Sequence, residues 1–108
     1  MELNKLLEYM VSPEKLIDPN EIVEVMQELS ERIVVQQEEI YERQQRVTQE
    51  WLKLRETCKS DKMTDMLQIG MPEHKGLKEA ERLEDRYRRF RADIKTKLEI
   101  ILRQKGLI

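Results

Sequence analysis

Glu21, Glu24, Glu28 and Glu31 recur three or four residues apart, so a helix that contains them carries four carboxylates on adjacent faces. Clustered carboxylates are hard oxygen ligands, and the chemistry they can serve is magnesium-assisted phosphoryl chemistry. Two further residues are chemically versatile and occur once each: His74, beside Glu73, and Cys58. The third candidate is basic. EDRYRRFRADIK, residues 84–95, holds five cations with Tyr87 and Phe90 between them. Arginines interleaved with aromatics are one way to grip a nucleic-acid backbone and stack on its bases.

Each candidate weakens on closer reading. All-α pyrophosphohydrolases hold magnesium with Glu-x-x-Glu on one helix and Glu-x-x-Asp on the next. EIVE (21–24) and ELSE (28–31) imitate the first half, but in ERLED (81–85) Asp85 follows Glu81 by four residues, and the gap between the halves is too long. The match follows from composition, and a magnesium-dependent pyrophosphohydrolase is the remotest reading. His74 has no companion ligands and there is no Glu-x-x-His repeat of the di-iron kind. Cys58 has no histidine nearby and reads as a partly exposed thiol beside a loop. There is no Gly-rich phosphate loop and no nucleophile constellation. The expectation is a non-enzymatic protein with no catalytic residue, metal or cofactor.

The basic stretch reads differently once placed on a helix. Tyr87, Phe90 and Ile94 fall on one side, so the aromatics belong to a core seam. Acidic residues precede many of the cations by four, as in Glu84 and Arg88, Asp85 and Arg89, Asp93 and Lys97, Glu99 and Arg103. Glu28 and Arg32, Glu39 and Arg43, Glu42 and Arg46 repeat the spacing. Such pairs contribute roughly 0.2–0.5 kcal/mol each and describe a solvated helix face. What remains is a stripe of Lys75, Lys78, Arg82, Arg86 and Arg89, interrupted by Glu79, Glu81 and Asp85. It is a weak phosphate footprint, and nucleic-acid association is the alternative reading.

The elements that position these residues follow from composition and period. Charged residues make up 39% of the 108 and aromatics only 5%, which suits either disorder or long solvated helices. Periodicity decides for helices. A short one covers about residues 2–11, stopped by Ser12-Pro13, with a single turn over 15–17. Asp18-Pro19-Asn20-Glu21 then presents a capping side chain, a proline for the first helical position and a glutamate three residues after the cap. No glycine or proline follows until Gly70. The first long helix therefore runs over 18–57, roughly 58 Å at 1.5 Å per residue.

Met26, Ile33, Ile40, Val47 and Leu54 form one heptad column of that helix. The partner column begins with Ile22 and Leu29 and turns polar at Gln36 and Arg43. Val23, Val25, Val34 and Val35 widen the apolar face of the first half, which predicts a thicker core there. Residues 58–71 read as a connector containing Met63, Met66, Leu67, Ile69 and Met71. A second long helix follows over 72–105, with Gly106 as its C-terminal cap. Its seam is Ala80, Leu83, Tyr87, Phe90, Ile94 and Ile101.

Two long helices joined by so short a link predict an all-α antiparallel hairpin, or coiled coil, in a single domain of residues 1–108. Trp51, Leu52 and Leu54 are expected opposite Leu77, Ala80 and Leu83, and Ile22–Val35 opposite Ile94–Ile101. The short N-terminal helix covers the wide apolar end. One stripe per helix is a thin core, and the usual remedy is a second copy completing a helical bundle, so a homodimer is expected. A net charge of −6 over residues 1–57 (13 acids, 7 bases) against +4 over 58–108 (9 acids, 13 bases) suits self-association.

Function follows as an expectation of class. No apolar run approaches the length of a membrane span and MELNKLLEYM lacks the features of a secretory signal, so no membrane and a cytoplasmic setting are expected. The profile is that of a small bacterial or phage accessory protein acting on another protein as adaptor, inhibitor or assembly factor. Candidate partner-binding residues are Met63, Met66, Leu67, Ile69 and Met71, with flexible thioethers suited to an adaptable surface, and the polar seam residues Gln36 and Arg43.

Overall fold

The computed structural model describes residues 1–108 and contains helices and no strand. α1 spans Leu3–Val11, a 3₁₀ turn Pro13–Lys15, α2 Pro19–Thr57, α3 Asp61–Ile69 and α4 Pro72–Gln104. No helix is long and apolar enough to cross a membrane. The long helices α2 and α4 pack against each other as a hairpin requires. Both run through two compact units, one of Met1–Val34 with Arg86–Ile108 and one of Val35–Asp85.

The ends of the helices follow from local chemistry. At the start of α2, the Asp18 carboxylate accepts from the Asn20 amide at 3.0 Å and the Asp18 carbonyl from the Ile22 amide at 2.9 Å. Glu21 does not close a capping box; its carboxylate accepts the Tyr9 hydroxyl at 2.8 Å and so ties α1 to α2. α4 ends in a Schellman arrangement. Gly106 takes a left-handed φ of 71°, which lets the Leu107 amide reach the Leu102 carbonyl at 2.9 Å and its own amide reach Arg103 at 3.0 Å.

In the first unit, Leu6 and Tyr9 of α1, Leu16 after the 3₁₀ turn, and Ile22, Val25, Leu29 and Ile33 of α2 are buried with Tyr87, Phe90 and Ile94 of α4. The wide end of the seam is thus covered by the N-terminal segment. Lys97 donates to the Pro13 carbonyl at 2.9 Å, so it pins that segment instead of pairing with Asp93. The valines do not act together as expected: Val25 is buried, whereas Val23, Val34 and Val35 face outward. At 100° per residue those three lie away from the centre of the Ile22–Leu29 column.

In the second unit, Ile40, Leu77 and Ala80 form a small cluster with Val47 against it. Gln36 donates to the Ala80 carbonyl at 2.9 Å, and a Cβ added at Gly76 would overlap the Arg43 guanidinium. α2 and α4 therefore run antiparallel here, but in a register shifted from the expected one. Leu77 and Ala80 meet Ile40 and Val47, and Leu52 is exposed. The cause is the connector. Residues 61–69 are a helix, and the last turns of α2 pack against it, leaving α4 to start opposite the middle of α2. The other seam residues of α2 and α4, Met26, Leu54, Leu83 and Ile101, are half-buried.

Candidate interaction surfaces

α3 is assembled from polar contacts. Ser60 caps it, its hydroxyl oxygen accepting from the Met63 amide at 3.2 Å, and Asp61 sits in the first turn. Arg55 reaches from α2 to Asp61 at 2.7 Å and to the Cys58 carbonyl at 2.7 Å. The Trp51 indole donates to Asp65 at 2.7 Å. Gln68 donates to the Val47 carbonyl at 2.6 Å and lies 3.4 Å from Glu50. Thr64 satisfies its own hydroxyl on the Ser60 carbonyl at 2.9 Å.

The polarity of this helix is inverted. Thr64 and Gln68 are its buried residues, at 0% and 7% exposure, while Met63, Met66, Leu67 and Ile69 stand 46–68% exposed. A nine-residue helix is marginal by itself, so its orientation is set by the unit it leans on. Full burial of a side chain of this size contributes about 1.5–3 kcal/mol, and these four forgo roughly half of it. The polar tethers to Val47, Trp51 and Arg55 keep them outward all the same. A buried polar pair beneath an exposed apolar ridge is the informative departure from ordinary burial.

The remaining sequence candidates are placed as follows. Met71 is half-buried at the junction of α3 and α4, off the ridge. Gln36 and Arg43 lie in the seam: Gln36 is bound to Ala80, and Arg43 is 2.7 Å from Glu39 beside Gly76. Lys75, Lys78 and Arg82 are exposed in the second unit, Arg86 and Arg89 in the first. Lys78 is 3.5 Å from Glu81, while Lys75 and Arg82 have no ion-pair partner. Ile69, His74, Lys75, Lys78, Glu79 and Arg82 line one open groove.

The carboxylates first singled out have other occupations. Glu21 holds the Tyr9 phenol, and that hydrogen bond, then burial, then the nearby charges of Glu21, Glu8 and Asp18, push the phenol above the usual tyrosine range. Glu28 pairs with Arg32 at 2.9 Å. No three His, Cys, Asp or Glu side chains come close enough to share a metal ion. Cys58 is buried, contrary to the expected partly exposed thiol, because the chain folds back into α3 right after it and Arg55 bridges its carbonyl to Asp61.

Sequence reasoning found the methionines but not their helix. The signal was available: Met63, Met66 and Leu67 stand at helical spacing behind Ser60 as a cap. Compared with protein-family models, curated proteins and solved structures, the chain matches none of them.

Proposed function

We propose that the protein is a non-catalytic helical interaction module, an adaptor, inhibitor or assembly factor that docks another protein on the outward ridge of α3. The observation that supports this most is the inverted polarity of α3, with Thr64 and Gln68 inside and Met63, Met66, Leu67 and Ile69 outside. Side chains left in water at that cost are explained by a partner that covers them. A homodimer in the cytoplasm is the companion proposal. The exposed, uncharged strip of α2 formed by Tyr41, Gln44, Gln45, Thr48 and Leu52 is the face we assign to that second copy. Gln36 and Arg43 belong to the internal seam and are left out of the docking surface.

The test is site-specific photocrosslinking in the cells that make the protein. A crosslinker at Leu67 should give one discrete heavier adduct with another protein, and Met66→Glu in the same chain should suppress it. A crosslinker at Val11, exposed on α1, should give none. Equal adducts from both positions, or none from Leu67, would remove the proposal. Nucleic-acid association through the basic residues of α4 is the second reading, favoured by the unpaired Lys75 and Arg82, and it predicts binding that salt abolishes.

A further inference from the structure

The ridge of α3 does not end in neutral surface. Ile69, its last residue, also lines the groove that holds His74, Lys75, Lys78, Glu79 and Arg82. Three cations there face one carboxylate of the groove, and two of them, Lys75 and Arg82, are unpaired. The Lys78–Glu81 contact is 3.5 Å and exposed, the kind of pair that contributes about 0–1 kcal/mol and is easily exchanged. An apolar ridge thus runs directly into a groove with an excess of positive charge within one unit of the fold.

We infer that this combined surface takes an amphipathic helix of a partner protein, one whose apolar stripe is flanked by carboxylates. The inference rests on the docking role of α3 proposed above and adds the chemistry of the partner. The apolar stripe covers Met63, Met66 and Leu67, whose flexible side chains adapt to it. The flanking carboxylates meet Lys75, Lys78 and Arg82, supplying the charge complementarity that fixes register and partner choice. A nucleic acid would use the cations but leave the ridge uncovered, and three cations interrupted by Glu79 give it little purchase.

The experiment is a selection from a displayed library of random peptides of about 16 residues, roughly four helical turns, against the full chain. Enriched peptides should combine apolar residues at helical spacing with net negative charge. The best of them should lose about tenfold or more in affinity for the triple variant Lys75→Glu, Lys78→Glu, Arg82→Glu, and its Glu-to-Lys counterpart should recover binding to that variant. All three positions are exposed, and circular dichroism checks that the variant stays helical. Peptides that bind through Met66 without acidic bias, or bind the triple variant unchanged, would overturn the inference and leave the docking face standing. Enrichment of nothing would overturn both. Displacement of the peptide by an equal concentration of a single-stranded oligonucleotide would assign the groove to phosphates and overturn the inference alone.

Discussion

In the unit of Met1–Val34 and Arg86–Ile108, six aliphatic side chains, Leu6, Leu16, Ile22, Val25, Leu29 and Ile94, are less than 2% exposed. In Val35–Asp85 the side chain buried to that degree is Thr64. The first unit closes an aliphatic core, although Val11, Ile17, Val23 and Val34 among others stay exposed around it. The second is held by Gln36 on Ala80, Gln68 on Val47, Trp51 on Asp65 and Arg55 on Asp61, and keeps four large apolar side chains of α3 outside. Polar tethers contribute about 0.5–1.5 kcal/mol each, which suffices to orient a short helix but not to build a core. The contrast is between a core closed by aliphatic packing and a unit whose short helix is oriented by polar tethers.

The largest effect should come from the first unit. Leu29→Ala removes a fully buried side chain and is expected to cost about 2–5 kcal/mol in denaturant unfolding. A cost below 1 kcal/mol would mean the first unit is not the stable one. Next in size is Gln68→Ala, which strips the amide from the Val47 carbonyl and should cost about 1–2 kcal/mol. Hydrogen exchange should show the loss in α3 ahead of α4, and uniform loosening would contradict separate units.

Tyr9 sharpens the comparison through pH. Its folded pKa lies above the ordinary 10.0 because its hydroxyl donates a hydrogen bond to Glu21, so the contact contributes fully below pH 10.0. As pH rises through the raised value the contribution is lost and α1 loosens. Melting curves between about pH 9 and 12 should fall more steeply for the wild type than for Tyr9→Phe. Identical slopes would mean that the Tyr9–Glu21 bond does not hold α1. The smallest effect is expected on α3: Met66→Glu should change stability by no more than about 0.5 kcal/mol, since the side chain stands in solvent. A loss comparable to Leu29→Ala would place Met66 in a core.

Much of the first unit is legible in the sequence. Asp18-Pro19 marks the start of α2, the columns through Ile22 and Met26 mark its inner face, and Gly106 marks the end of α4. Leu16 escapes because its burial depends on a 3₁₀ turn at Pro13–Lys15, earlier than the turn expected over 15–17. The second unit is legible only in part. Residues 61–69 read as a connector because Gly70 and Pro72 punctuate them, and the helix they form shifts the pairing of Leu77 and Ala80 toward Ile40. The methionines stand out as a candidate surface by residue type. Their outward direction is not readable, because a helical stripe normally turns inward and only the tethers of Gln68 to Val47, Trp51 to Asp65 and Arg55 to Asp61 reverse it.

The most direct test is methionine footprinting. Brief peroxide treatment converts accessible methionines to sulfoxides, read position by position by mass spectrometry. In the isolated protein Met63 and Met66 should oxidise well ahead of the half-buried Met26. In a fresh extract of the cells that make the protein, Met63 and Met66 should be protected while Met26 is unchanged. Oxidation of Met63 and Met66 as slow as that of Met26 in the isolated protein, or as fast in the extract as alone, would contradict a ridge built to be covered.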